Sequence, residues 1–305
     1  MPDNDTFPTY AIVGNNFGFL GRPVRPDGNG ADVVVLGIPY DMATSGRAGA
    51  RHGPQAVRAA SANLRWEERR WPWRFDLAGR LNVADAGDVV FPPGESGAMV
   101  EAVEDVVGRH LAAGRKLLSI GGDHFVTLPL MRAYSRHLGA PLRMVHFDAH
   151  TDTESTGESR YYHGSMFHHA PREGILDASR SVQVGIRTEY GYDDHPFTVI
   201  DAVRAAEDDV AAIVSDIHGV VGGGPVYVTF DIDCLDPAFA PGTGTPVAGG
   251  LSTARALSIM RGLAGLDLVG MDVVEVAPAY DHAEITALAA ATLALEFLYL
   301  VAAGR

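Results

Sequence analysis

Cysteine is as scarce as any residue in this chain. Cys234 is the only one in 305 residues, so no internal disulfide can staple the fold, and that usage suits a reducing cytoplasm. There is also no run of lysine and arginine, and the formal net charge is −14. Neutralising nucleic-acid phosphates takes clustered positive charge, so nucleic acid is excluded as a partner. The first residues, MPDNDTFPTY, are acidic and polar and lack the basic-then-apolar order of a signal peptide. The most apolar stretch, Ala287 to Ala303, is interrupted by Glu296. It is shorter than the roughly 20 residues of a membrane span and reads as a buried C-terminal helix. These absences predict a cytoplasmic protein with no membrane partner. An acidic balance also suits a small cationic substrate, a weak pointer because many soluble enzymes are acidic.

What is present is an ordinary globular composition, 47% hydrophobic and 20% charged, with enough apolar residues to bury a sizeable core. No internal repeat, low-complexity tract or linker divides the chain, which predicts one domain over residues 1–305. Short apolar, β-branched runs recur at Asp32–Tyr40, Lys116–Ile120, Leu142–His146, Ser181–Ile186, Val226–Phe230 and Leu268–Val276. Helical patterns lie between them at Ala98–Ala113, Thr127–Leu138, Val203–His218 and Thr253–Leu263. Strands alternating with helices predict an α/β fold, a three-layer αβα sandwich around a mostly parallel sheet.

In open parallel sheets, ligands bind beyond the carboxyl ends of the strands. That is where the unusual residues of this chain fall. Lys116–Ile120 runs into Gly121-Gly122-Asp123-His124, Leu142–His146 into Asp148-Ala149-His150-Thr151-Asp152, and Val226–Phe230 into Asp231-Ile232-Asp233. If the strands continue through these motifs, period-two alternation puts Asp148, His150 and Asp152 on one side, and Asp231 with Asp233 likewise. With His124, six potential ligands converge, four of them carboxylates. Buried carboxylates in that number need compensating charge, and no lysine or arginine lies within the three motifs. Cations from outside are the natural answer. A pair of divalent ions matches four carboxylate charges, and oxygen-rich donors with two imidazoles and no thiolate favour Mn²⁺. Two such ions about 3.5–4 Å apart can hold a shared water as hydroxide at neutral pH.

The segments GGDH (Gly121–His124), DAHTD (Asp148–Asp152) and FDIDCLDPAFAPGTGTPVAGG (Phe230–Gly250) resemble the signatures of the arginase/agmatinase ureohydrolase family. The resemblance runs nearly end to end. FGFLGRP (Phe17–Pro23), DMATSGRAGARHGPQAVR (Asp41–Arg58) and MDVVEVAPAYD (Met271–Asp281) are similar to its bacterial agmatinase branch. It implies a three-layer αβα fold of the arginase/deacetylase type, assembled into homo-trimers or homo-hexamers, and a hydrolase of guanidino compounds. It also implies one manganese held by His124, Asp148, Asp152 and Asp231. The other would be held by His150, Asp148, Asp231 and Asp233, so that Asp148 and Asp231 bridge.

Two further residues are candidates for catalysis. His163, in YYHGSMF, reads by itself as a loop histidine, solvated or functional. The resemblance implies a proton shuttle to the leaving amine, which suits an imidazole. Glu275 is a charge within the apolar MDVVEVAP. It is either half of a buried salt bridge or an acceptor whose two oxygens match a planar guanidinium. His146 shares the side of Asp148 and reads as a core or supporting residue, because the six ligands are already complete. Cys234 reads as buried and inert, PGTGTP (Pro241–Pro246) as part of the rim, and His168-His169 has no role assigned.

Deacetylase-type hydrolases resemble a one-zinc version of this site, in which His124 would have no purpose. Metallophosphoesterases show GD-x-x-D followed by GNH, which this chain lacks. A non-catalytic scaffold would be missing a ligand, His163 or Glu275. Arginases resemble one another in an asparagine- and serine-bearing loop after DAHTD. Here that loop is TESTGESRYY (Thr153–Tyr162), with Glu154 and Glu158 and no asparagine. Agmatine, cleaved to putrescine and urea for polyamine biosynthesis, is therefore the expected substrate. Guanidinobutyrate or guanidinopropionate is the alternative, with Arg160 a conceivable partner for a distal carboxylate.

Overall fold

The computed structural model describes residues 18–66, 69–155 and 161–305. Phe17, Glu158 and Arg160 lie outside the described residues. Among the described residues eight strands form a single all-parallel sheet: β1 (Val33–Gly37), β2 (Val83–Asp88), β3 (Lys116–Ile120), β4 (Arg143–Phe147), β5 (Val182–Ile186), β6 (Thr198–Asp201), β7 (Pro225–Asp231) and β8 (Asp267–Val274). Between them run α1 (Gly53–Ser61), α2 (Ser96–Ala112), α3 (Thr127–Leu138), α4 (Met166–Arg172), α5 (Ala202–Glu207), α6 (Val210–Val221), α7 (Thr253–Arg261) and α8 (Ile285–Ala303).

Alternation along β1 shows how the layers arise. Val33 and Val35 point into a core shared with α1, α6, α7 and α8, whereas Val34 and Leu36 point into one shared with α2, α3 and α4. The central strands are buried on both faces, which is why they read as continuous apolar runs rather than alternating ones. Each fully buried Val, Leu or Phe of this kind contributes about 1.5–3 kcal/mol. The expected three-layer αβα sandwich is what the chain forms.

Three details differ from the sequence reading. The edge strands β2 (VADAGD) and β6 (TVID) were not anticipated. An edge strand pairs on one side only, so short and polar stretches suffice there. The helix expected over Val203–His218 is two helices, because Asp209 accepts from the amide of Ala211 at 2.7 Å and starts α6 afresh. The C-terminal helix begins at Ile285, and by length and composition alone its 19 residues could cross a membrane. Instead it packs against α1, α7 and β8, with Glu296 held inside by Arg261 at 3.0 Å.

The sheet order is β2-β1-β3-β8-β7-β4-β5-β6. The four strands whose ends carry the acidic and histidine motifs, β3, β8, β7 and β4, are therefore consecutive at its centre. Their C-terminal ends open side by side.

Candidate metal centre

β3 ends at Gly121-Gly122. A Cβ on Gly122 would stand 1.6 Å from the carbonyl oxygen of Tyr40, so only glycine lets the 38–43 segment close over this strand end. The next residue locks that contact. The amide of Asp123 donates to Tyr40 at 2.7 Å, and its carboxylate accepts from the amides of Ala43 (2.8 Å) and Phe125 (3.2 Å). His124 thereby opens a short 3₁₀ turn, fully buried.

The other ligand candidates do not align by strand alternation. β4 stops at Phe147 and β7 at Asp231, so Asp148, His150, Asp152 and Asp233 sit in the turns that follow. Asp152 adopts a left-handed φ of 52°. The convergence comes instead from carboxylates that hold the turns. Asp148 Oδ1 accepts from the amide of His150 at 2.6 Å, Asp231 Oδ1 from that of Asp233 at 2.8 Å, and Asp233 Oδ1 from that of Ala149 at 3.1 Å. Asp148 and Asp231 each fix the backbone of another candidate ligand, and Asp233 fixes the residue between Asp148 and His150.

Two donor sets result. His124 Nδ1 lies 2.9 Å from Asp152 Oδ2, 3.1 Å from Asp148 Oδ2 and 3.3 Å from Asp231 Oδ2. His150 Nδ1 lies 3.3 Å from Asp148 Oδ1 and 3.2 Å from Asp233 Oδ2. Asp148 turns one oxygen to each set.

Whether this cluster fits cations can be judged from His124. Its Nε2 is 2.8 Å from the hydroxyl of Thr229, which donates its own proton to Asp272 Oδ1 at 2.6 Å. Thr229 must therefore accept, and the Nε2–H tautomer leaves a lone pair on Nδ1. That nitrogen is buried without a hydrogen-bond partner and faces three carboxylate oxygens. Only positive charge at that point makes the arrangement favourable. The acids say the same. Burial, with Asp233 and Asp148 nearby, pushes the Asp231 carboxyl well above the usual range, and burial beside Asp148 raises that of Asp233. Burial opposes charging His150, yet Asp148 and Asp233 push its pKa up to about 12. Within each set the imidazole nitrogen and the carboxylate oxygens stand 2.9–3.3 Å apart, close enough to share a cation. The residues fit cations.

Glu275 lies just past β8 with a left-handed φ of 63°. Among the described residues no lysine or arginine pairs with it. Its Oε1 accepts from the amide of His124 at 2.8 Å and stands 2.8 Å from His163 Nδ1. Oε2 is buried without a partner, so one oxygen is open to a guanidinium rather than two. A Cβ on Gly244 would stand 3.5 Å from Oε2, so the PGTGTP loop keeps that approach clear. Its Thr245 hydroxyl also donates to Asp233 Oδ2 at 3.1 Å.

His163 Nε2 accepts from the amide of Ser45 at 3.1 Å and lies 2.8 Å from its hydroxyl. Burial would depress the imidazole's pKa, but Glu275 pushes it up to about 9. A cavity of about 220 Å³ opens in front of the donor sets. Its lining includes His150, Asp152, Asp231 and His163, with Glu154 and Glu189.

Sequence reasoning missed Ser45, Thr229, Asp272, Glu189 and Gln183. Only Asp272 carried a local signal, a second charge within the apolar β8 segment that contains Met271 and Val273. The others lie far along the chain from what they touch.

The sequence profile of the Arginase family matches residues 31–299. An agmatinase of Neisseria meningitidis serogroup A is 59% identical over 297 residues, covering 97% of this chain and 96% of that protein. A hypothetical agmatinase from Burkholderia thailandensis superposes with a TM-score of 0.92 at 47% identity, over 97% of this chain and 92% of that one. Proclavaminate amidino hydrolase from Streptomyces clavuligerus does so at 0.91 and 38% identity, over 98% and 100%. With fold and strand-end chemistry in agreement over nearly the whole length, the chain belongs to the arginase family of ureohydrolases and is a hydrolase of linear amidines.

Proposed function

We propose that this chain is an agmatinase, hydrolysing agmatine to urea and putrescine with two Mn²⁺ per chain. The observation that carries the reading is His124 Nδ1, buried and unpaired among three carboxylate oxygens, beside a second set around His150 that shares Asp148. His124, Asp148, Asp152 and Asp231 would hold one ion, and His150, Asp148, Asp231 and Asp233 the other. Oxygen donors with two imidazoles and no thiolate suit manganese. When bound, a pair of such cations brings water to hydroxide near neutral pH.

The protein's own residues supply orientation and a proton. Glu275 Oε2 accepts from the guanidinium and holds its carbon in line for water to add. As the C–N bond breaks, the amine takes the bond's electron pair and a proton relayed by His163. The exposed carboxylates of Glu154 and Glu189 at the mouth suit a distal ammonium. The names of the Neisseria and Burkholderia relatives support the same substrate. Putrescine formation would serve polyamine biosynthesis, in a cytoplasmic enzyme of one domain that forms homo-trimers or homo-hexamers.

Urea release should be measured with agmatine, arginine and guanidinobutyrate side by side. Agmatine should exceed the others by at least roughly 100-fold in kcat/KM, since a distal carboxylate meets like charge. A preference for guanidinobutyrate would overturn the substrate and favour a guanidino-acid hydrolase, as the proclavaminate relative's name suggests.

Metal analysis of fully active enzyme should give two ions per chain. One ion at full turnover sinks the paired site.

Glu275→Gln should keep both metals but raise KM and slow turnover, because the acceptor for the guanidinium becomes an amide donor. It also removes the charge that holds His163 near 9. Protonated His163 is the donor, present below its pKa and lost above it. The alkaline limb of the activity profile should therefore fall from about 9 towards the ordinary imidazole value of about 6.5. An unmoved limb would separate His163 from Glu275.

A further inference from the structure

A hydrogen-bonded line runs into the metal centre from residues that the proposed mechanism does not use. His195, half-buried beside Tyr190 and Phe197, places Nε2 2.6 Å from Gln183 Oε1. The amide nitrogen of Gln183 lies 2.7 Å from the carbonyl oxygen of Thr151 and 2.9 Å from His146 Nδ1. His146 Nε2 in turn lies 2.7 Å from Asp148 Oδ2. Gln183, His146 and Asp148 are all fully buried. Gln183 and His146 are direct partners in the β4–β5 ladder, so the sheet itself sets their approach.

The direction of these bonds can be worked out. A carbonyl oxygen only accepts, so Thr151 forces the NH₂ side of the Gln183 amide towards itself. The second N–H of that group points at His146 Nδ1, which must then be bare. The neutral ring consequently carries its proton on Nε2 and donates it to Asp148 Oδ2. His195 completes the pattern by donating to Gln183 Oε1, the only acceptor left. Phe167, with its ring 4.6 Å from that of His146, and His124 at 5.2 Å keep the imidazole from turning over.

We propose that Gln183 is a positioning residue of the metal centre. It sets the tautomer of His146, which orients Asp148, the carboxylate shared by both donor sets, and it pins the backbone between His150 and Asp152. The same tautomer keeps both ring nitrogens of His146 occupied, so His146 supports a ligand rather than serving as one. The inference rests on the paired-cation reading of the site, and its effect falls on metal affinity. Partners of ligands typically govern affinity by roughly 10–100-fold.

Two measurements test it. In metal-free protein labelled with ¹⁵N-histidine, NMR should show His146 protonated on Nε2 and bare on Nδ1. The opposite tautomer overturns the proposal, and this readout needs neither a variant nor bound metal. Mn²⁺ affinity should then be measured by competition with a chelating indicator, with circular dichroism and the metal-free Tm checking the fold. Gln183→Met should weaken binding roughly 10–100-fold. In a His146→Phe background the same change should cost at least about threefold less, because residues acting through one another are non-additive. Additive losses, or wild-type affinity in a folded Gln183→Met, overturn it. If wild-type protein takes up no second cation, the paired-cation reading fails by itself, and the tautomer still decides this inference.

Discussion

Replacing His163 by alanine should lower kcat roughly 10²–10⁴-fold while leaving metal content and KM near wild type. That factor is what a placed proton donor typically supplies, and it corresponds to about 3–5 kcal/mol of barrier. The expectation follows from where the ring sits. It lines the cavity with His150 and Asp152 but faces Glu275 and Ser45 rather than the donor sets. Ser45 donates to Nε2, which favours the neutral ring, while Glu275 on Nδ1 pushes the pKa up to about 9. An imidazole held between these opposing partners can give a proton and take it back. Added imidazole should restore part of the activity, since the space vacated opens to the cavity. Single-turnover assays with metal counting provide the check. If the variant lost manganese and kept normal activity per bound pair, His163 would be a ligand or a structural residue, and the amine would need another proton donor.

Asp148→Asn should remove both ions, more than about 100-fold in affinity for each, and activity with them. Outer partners of ligands already account for roughly 10–100-fold, and Asp148 is shared by both sets. Its Oδ1 stands near His150 Nδ1 and its Oδ2 near His124 Nδ1. Each oxygen also faces a donor, the amide of His150 at 2.6 Å and His146 Nε2 at 2.7 Å. An asparagine NH₂ group would confront one of them whichever way it turned. Charge acts in the same direction. His146, donating from Nε2, holds the Asp148 carboxyl well below the usual range despite its burial, so the anion is the form that the cluster is built around. His124→Ala and His150→Ala should each weaken mainly one ion. Titrating metal-free variants with Mn²⁺ separates these cases. Two ions and near-normal turnover in Asp148→Asn would sink the bridging assignment.

How much was legible beforehand follows from the range of each interaction. Periodicity over five to eight residues exposed the central strands, because burial on both faces demands unbroken apolar runs. It could not expose β2 and β6, whose outer edges make no such demand. The polar residues after β3, β4 and β7 stood out because carboxylates and histidines rarely follow buried strands in such density. Their role as candidate ligands was therefore readable from type and position alone. Strand alternation does not bring these residues together; the capped turns after the strands do. Glu275 was visible as a charge in an apolar run and His163 only through resemblance.

By itself, then, the sequence determined the α/β class, the candidate ligands and the strand ends that carry them. Tertiary structure decided which of those ends are neighbours, since β7 and β8 enter between β3 and β4 only after the rest of the sheet has been laid down along the chain. It also decided that His163 and Glu275, 112 residues apart, share a hydrogen bond, and that Thr229 and Gln183 choose which nitrogen of His124 and His146 is bare. The reason is physical. Secondary structure is set by neighbours along the chain, whereas a tautomer or a proton affinity is set by whatever atom lies within 3 Å, wherever in the chain it originates.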